Sequence, residues 1–366
     1  MAMSEALSIC CIPVSWPSGL GELGRSLALA AALREAWPRA RVHLVLNRDL
    51  PPRTRALVPE SYTVTWLSTS PTCDDAGVRA ALHACRPELV LFDNAGTWRQ
   101  CRAASRGGAR TVFISSRPQT RARGADPRWL AWLDEHWLIG PSALEGTPSA
   151  RQRLAMRIAG TAVRAWQTLF TPSHPAQRAR TRRAAGCADA PYICFVPGGG
   201  GGVIEGHSAM TLFADAAEAV ARRTGRICVL LEGPLHQGHS PQRRGVTVQH
   251  VAHAQAIDLM SDAELVVVGA GSSLLHALAQ LRVCVTTMTG GTDQALRAHT
   301  YAARGLAVAT APRADALADA ACALLADAPR RNALRQRIVA AGLRNDLPHA
   351  VAALLRLVAS PAGSAR

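Results

Sequence analysis

Residues 264–305, ELVVVGAGSSLLHALAQLRVCVTTMTGGTDQALRAHTYAARG, constrain the fold more than any other stretch of the chain. The run 265–268 is apolar throughout, as a strand buried on both faces of a parallel sheet must be. It stops at Gly269-Ala270-Gly271, and Ser272-Ser273 then open a helical pattern. A second short strand follows, then Gly290-Gly291 as a turn and Thr292-Asp293-Gln294 at the start of another helix. Strand, small-residue turn and helix in that order form the repeating unit of an open parallel α/β sheet. Each such helix begins with unpaired N–H groups and the positive end of its dipole. Two polar helix starts along one sheet edge make a site for a phosphorylated ligand.

The same alternation runs through the chain in two series. Apolar strands are expected at 7–14, 42–46, 62–67, 89–92, 111–114 and 136–139, with helical patterns at 23–36 and 98–106. From about residue 150 to 190 the regularity fails, and Pro172, Pro175 and the cluster Arg178, Arg180, Arg182, Arg183 occupy the gap. A second series has strands at 192–196, 227–231, 246–249, 265–268 and 283–286. Its helices fall at 208–223, 255–260, 272–280 and 293–303, and the chain ends in helical patterns at 315–326, 330–341 and 348–357. At 366 residues the chain exceeds one ordinary core. The expected division is therefore a first domain at 1–165, a linker at 166–190, a second domain at 191–345, and a C-terminal helix and tail at 346–366. The fold class is α/β, with two parallel-sheet, Rossmann-like domains.

All 41 basic residues are Arg, against 26 acidic ones, for a formal charge of +15. The lack of Lys excludes a Walker-A phosphate site and Schiff-base lysine chemistry. The charge points to an anionic partner, either a membrane surface or a phosphorylated substrate. Nucleic acid is not expected, because the Arg residues are dispersed and no nucleic-acid motif is present. The ten Cys form no CxxC pair, and most lie in apolar runs as small hydrophobes. The histidines show no HExxH or HxxxH spacing, so no metal site is expected. The apolar run 7–14 is broken by Pro13 and reads as a strand, not a signal peptide. No apolar segment approaches the ~20 residues that cross a bilayer. A cytoplasmic protein follows, held if anywhere at the inner face of the cytoplasmic membrane.

Four loops carry candidate chemistry. Gly19, Gly21 and Gly24 lie between a strand and a helix, in a pattern like the dinucleotide fingerprint, but Asp49 comes too late to be its ribose-binding acid. Glu22, at that helix start, reads equally as an acid complementing the dipole or as a base. Asp93-Asn94 ends a strand at the ligand-binding edge, where Asp and Asn also serve as turn or cap residues. Ser115-Ser116-Arg117 closes another strand and fits an anionic acceptor or a solvated basic face. The glycine run 198–202 follows the first strand of the second half, where bare backbone amides can wrap a diphosphate. His207, just beyond, could donate to phosphate or cap the next helix. Trp129, Trp132 and Leu133 share a helical face and read as core.

Together these residues resemble the glycosyltransferase B-type fold, two facing Rossmann-like domains with an interdomain cleft. The layout is similar to the bacterial N-acetylglucosaminyltransferase that makes lipid II and to the nucleotide-sugar hydrolase of pseudaminic acid synthesis. The stretch VAHAQAIDLMSDAELVVVGAGSSLLHALAQ and its continuation follow their donor-domain pattern. The resemblance implies a nucleotide base near Val251, a diphosphate near Gly199, Gly200, Gly201, Ser272 and Ser273, and the sugar near Asp293 and Gln294. Where those families often carry a Glu that holds the ribose, this chain has His276. GLGELGR resembles the hydrolase's glycine loop with Glu22 in place of His, and LVLFDNAGTWRQ and TVFISSRPQ follow its layout.

The resemblance implies a metal-independent glycosyltransferase that needs no cofactor and takes a nucleotide-diphosphate sugar, with UDP favoured. The acceptor would be a glycan, a lipid-linked or another cell-envelope molecule. Glu22 would be the base and Asp93 its substitute, with Gly21 and Arg117 on the acceptor side. The same fold also admits a nucleotide-sugar hydrolase or epimerase, and a non-catalytic nucleotide-sugar-binding scaffold.

Overall fold

The computed structural model describes residues 6–15, 20–188, 190–239, 242–291 and 293–360. They form two units, residues 1–170 with 346–366 and residues 171–345.

The first unit is built on β1 (Ser8–Pro13), β2 (Arg41–Asn47), β3 (Thr63–Leu67), β4 (Leu89–Asp93), β5 (Arg110–Ser115), β6 (Glu135–Ile139) and β7 (Ala162–Trp166). All neighbours pair in parallel, in the order β3-β2-β1-β4-β5-β6-β7. Every residue of β1, β4 and β6 is buried, because helices cover both faces of the central sheet. The chain runs outward from β1 to β3 and then returns to place β4 on the other side of β1. Loops leaving β1 and β4 therefore diverge, and the sheet has its topological switch point between them.

The second unit contains β8 (Tyr192–Val196), the hairpin β9 (Val203–Ile204) and β10 (His207–Ser208), then β11 (Ile227–Glu232), β12 (Val246–His250), β13 (Leu265–Gly269), β14 (Cys284–Thr287) and β15 (Val308–Ala309). Its parallel sheet has the order β12-β11-β8-β13-β14-β15, so the equivalent switch point lies between β8 and β13. The hairpin turns at Glu205 (φ 49°) and Gly206 (φ 81°). Two consecutive left-handed residues are what a tight two-residue hairpin requires.

The expected strands are present, and the stretch 150–184, where the sequence pattern fails, holds regular elements as well. It holds the helix Ala150–Ile158, then β7, then the helix Pro175–Ala184. The division expected at 166–190 accordingly falls differently. Trp166 ends β7, and the Arg-rich helix belongs to the second unit. Asp258 accepts hydrogen bonds from Ser173 (2.5 Å) and Thr181 (3.0 Å), and Asp262 pairs with both Arg178 and Arg182 at 3.3 Å. Two of the four arginines that suggested a linker, Arg178 and Arg182, are thus folded onto the helix His253–Asp262, while Arg180 and Arg183 face solvent.

The C-terminal helix, Leu347–Ala359, is no separate tail. Leu347, Ala350, Val351 and Leu354 share one core with Leu23, Leu29 and Leu33 of the helix Gly21–Ala36. Asp346 fastens its start, donating its N–H to Thr168 O (2.9 Å) and accepting from Gln167 N–H (2.8 Å). Trp129 sits in the four-residue helix Pro127–Leu130 and packs its ring against Phe92 and Phe113, with centroids 5.6 and 4.7 Å away. Its role is core packing, as its position on an apolar face implies.

Candidate functional site

The carboxyl edge of the first sheet gathers Glu22, Arg25, Asp93, Asn94, Ser116 and Arg117. After β1, Val14 N–H bonds to Asp93 O (2.9 Å), and the next helix is Gly21–Ala36. Gly19, one of the three glycines of the loop pattern, lies outside the described residues. Gly21 is the first residue of the helix, and the preceding Leu20 offers no side-chain cap. Glu22 is therefore the acid of an otherwise uncapped first turn, where the dipole favours a carboxylate.

Glu22 is only 7% exposed, held by an amide at 2.7 Å with an arginine farther off at 3.6 Å. Asn94 Nδ2 donates to Glu22 Oε1 at 2.7 Å and to Ser116 Oγ at 2.6 Å. Asn94 Oδ1 accepts from Ser116 N–H at 3.0 Å. Asn94 thus spends its amide hydrogens holding Glu22 and Ser116 at a fixed separation. It does so from a left-handed backbone conformation, φ 52°, which Asn tolerates better than most residues. Arg117 begins the next helix region, and its Nη2 stands 3.6 Å from Glu22 Oε1 while half the side chain faces solvent. The group is a positioned carboxylate with a half-exposed cation beside it, suited to accept a proton from a hydroxyl and to attract an anionic ligand.

Asp93 does not share this role. Arg25 grips both its oxygens, Nε to Oδ2 at 2.8 Å and Nη2 to Oδ1 at 2.5 Å, and Asp93 is 0% exposed. Burial pushes the Asp93 carboxyl up to about 6, against the pull of Arg25. Burial likewise opposes the charge on Arg25, and Asp93 more than restores it, leaving that guanidinium's pKa raised. With both oxygens engaged and no exposed surface, Asp93 anchors the helix Gly21–Ala36 to β4 and is not placed to act as a substitute base. Arg25 is the residue that sequence reasoning missed. Its signal was position, since it lies one turn after Gly21 and the helix turns it toward the end of β4.

In the second unit, the glycine run packs first against its own protein. Gly198 (φ 99°) and Gly200 (φ 92°) are left-handed. A Cβ on Gly200 would lie 2.8 Å from Gly233 O, and one on Gly202 would lie 2.1 Å from Thr289 O. Leu235 N–H also bonds to Gly199 O at 2.9 Å. The bare backbone of 198–202 is thereby wedged between the loops that follow β11 and β14, with Gly201 inside the same turn. The amides are brought to the switch point by this packing. Gly202→Ala is expected to lower stability by about 3 kcal/mol through overpacking, read as a drop in urea midpoint. An unchanged midpoint would mean the loop does not pack this way.

Beside it, Ser272 and Ser273 open the helix Ser272–Ala279, whose N-cap Gly271 supplies no side-chain acceptor. This helix start and the glycine run flank the switch point between β8 and β13. Val251 lies just after β12, half-buried, with its N–H 3.4 Å from Glu232 O. His276 is buried one turn into its helix and stacks on His253, with ring centroids 5.1 Å apart at 22°. Burial lowers the His253 pKa.

Asp293 and Gln294 prove to be partly structural. Gln294 Oε1 accepts from Thr289 N–H (2.6 Å) and Thr289 Oγ1 (3.0 Å), clamping the loop after β14. Asp293 pairs with Arg297 at 2.9 Å, and Arg297 also donates to Ala270 O at 3.0 Å. That bond ties the helix Gln294–Ala303 to the turn after β13. Thr292, expected at this helix start, lies outside the described residues. His207 is exposed on the hairpin and Ser208 caps the following helix, accepting from Met210 N–H at 3.2 Å.

The chain matches no protein-family model and no curated protein. Solved structures do match. Phytolacca americana UGT2, complexed with UDP-2-fluoroglucose and pterostilbene, has a TM-score of 0.65 at 12% identity, covering 97% of this chain and 100% of that one. The spinosyn forosaminyltransferase SpnP gives 0.62 at 15% identity, over 98% and 100%. A putative UDP-N-acetylglucosamine 2-epimerase from Listeria monocytogenes gives 0.55 at 12% identity, over 91% of each chain. These likenesses establish the fold as the glycosyltransferase B-type.

Proposed function

We propose that this protein is a glycosyltransferase that moves a sugar from a nucleotide-diphosphate sugar to a hydroxyl acceptor. The observation that carries the reading is Glu22, a nearly buried carboxylate held by Asn94 at the switch point of the first sheet. The second unit would take the donor, with the diphosphate on the N–H groups of Ser272 and Ser273 and the amides of residues 198–202, and the base toward Val251 and His276. Fixed backbone dipoles aimed at the departing diphosphate stabilise its charge without a metal ion. No cofactor enters this scheme. Glu22 would deprotonate the acceptor hydroxyl, and Arg117 would hold an anionic acceptor such as a lipid-linked or phosphorylated glycan. The charge of +15 supports work at an anionic membrane surface, consistent with a cytoplasmic location at the inner leaflet. UDP is the preferred nucleotide of this reading, supported by one solved neighbour complexed with a UDP sugar and another that is a putative UDP-N-acetylglucosamine 2-epimerase.

A second reading, a hydrolase or epimerase, draws support from the epimerase among those neighbours; it requires donor turnover without any acceptor.

The test is a thermal-shift panel of nucleoside diphosphates on wild type and Ser273→Asp. A saturating ligand at a hundred times its Kd adds about 2.7 kcal/mol, a rise of about 5–10 °C for units of this size. A carboxylate at Ser273 suits the helix dipole, so the variant should melt no lower than wild type. It occupies the anion position, so the nucleotide-induced rise should vanish. No rise with any nucleotide in wild type would remove the donor site and with it the transferase.

A further inference from the structure

The helix Ala150–Ile158 has its faces distributed contrary to a helix that only covers a sheet. Met156 is buried against Ala125 and Leu130, while Leu154 and Ile158 are 57% and 79% exposed. Opposite Met156, these two side chains form a ridge one turn long. Arg151 borders the ridge on one side and Arg153 and Arg157 on the other; all three are exposed, and the helix carries no acid.

Next to the helix, the sheet is incompletely covered. β7 is an edge strand, and Val163 on it is 42% exposed. Val163 and Ala165 pair with His136 and Leu138 of β6 and so present to the same face. Between that face and the helix lies an open cavity of about 590 Å³, walled mainly by Leu138, Met156, Val163 and Ala165, with Arg153 and Arg157 at its rim. That volume lies in the range of ligand pockets, and its lining is apolar.

The geometry points to a docking site for an anionic phospholipid bilayer. The ridge of Leu154 and Ile158 enters the headgroup region, an acyl chain reaches the cavity, and Arg151, Arg153 and Arg157 meet the phosphates. An apolar ridge bordered by cations is the signature of an element lying in the membrane interface. A second copy of the chain is disfavoured as occupant, because docking this face on itself would bring these arginines against their own counterparts. The site extends the anionic-surface part of the proposed function and is independent of the transfer chemistry.

Co-sedimentation with phosphatidylglycerol vesicles, with phosphatidylcholine vesicles as comparison, tests it on the full chain. Wild type is expected to partition onto the anionic vesicles and not the neutral ones. Leu154→Ser/Ile158→Ser and Arg151→Ser/Arg157→Ser should each lower that partition at least tenfold. Arg330→Ser/Arg335→Ser, which removes the same charge from the second unit, should leave it within twofold. These positions are exposed, so far-UV circular dichroism and melting temperature should match wild type. The proposal is overturned by absent binding to anionic vesicles, by ridge variants that bind like wild type, or by an equal loss in the Arg330/Arg335 variant. A dimer seen by light scattering that dissolves in the ridge variant without any vesicle binding would assign the face to a second copy instead. None of these failures would alter the nucleotide thermal shift, so the donor-site reading stands or falls separately.

Discussion

Glu22→Gln is expected to lower kcat by about two to four orders of magnitude, the usual contribution of a positioned general base. The substitution keeps volume and an amide oxygen that can still accept from Asn94, so the loop should hold its shape. KM for the donor and the nucleotide-induced thermal shift should stay near wild type, because neither depends on the first unit's carboxylate. Asn94→Ala is a useful companion. Asn94 acts through Glu22 and Ser116, so its loss should lower kcat less than Glu22→Gln does and leave KM for the donor near wild type. If Glu22→Gln turns over donor and acceptor like wild type, Glu22 serves the helix dipole alone and the mechanism loses its base.

The second large effect is on stability. Asp93→Ala would leave the Arg25 guanidinium buried without its partner, and breaking such a pair costs about 3–5 kcal/mol. A urea titration should show this as a shift in midpoint with little change in slope. Arg25→Met/Asp93→Leu removes both charges and should recover most of the loss, since a buried ion pair and an apolar pair of similar volume are often close in stability. A single-variant cost below about 1 kcal/mol, the range of exposed ion pairs, would mean that water reaches the pair and the helix Gly21–Ala36 is not anchored this way.

These two residues also show how far the sequence could be read. Glu22 and Asp93 are both acids at the same sheet edge, and spacing treats them alike. What separates them is Arg25, which the helix swings onto one carboxylate and not the other. The central strands were legible because burial on both faces demands continuous apolar runs. β7 was not, because an edge strand exposes half its residues and AVRAW has no such run. The Arg-rich helix Pro175–Ala184 was read as a linker since its stability comes from acids some 80 residues away, Asp258 and Asp262. The glycine run was placed correctly, but the contacts that demand glycine there, Gly233 O and Thr289 O, come from other loops.

The return of the terminal helix to the first unit carries a consequence for biosynthesis. Residues 171–345 form a contiguous unit, whereas the first unit needs residues from 346 onward to complete its core. On the ribosome the second unit can therefore finish folding while the first still presents the uncovered side of its helix Gly21–Ala36. Domains otherwise tend to mature in the order of synthesis; here the segment that begins first is completed last. Until Leu347, Val351 and Leu354 arrive, that bare surface is the part of the nascent chain most exposed to chaperone capture or mispairing.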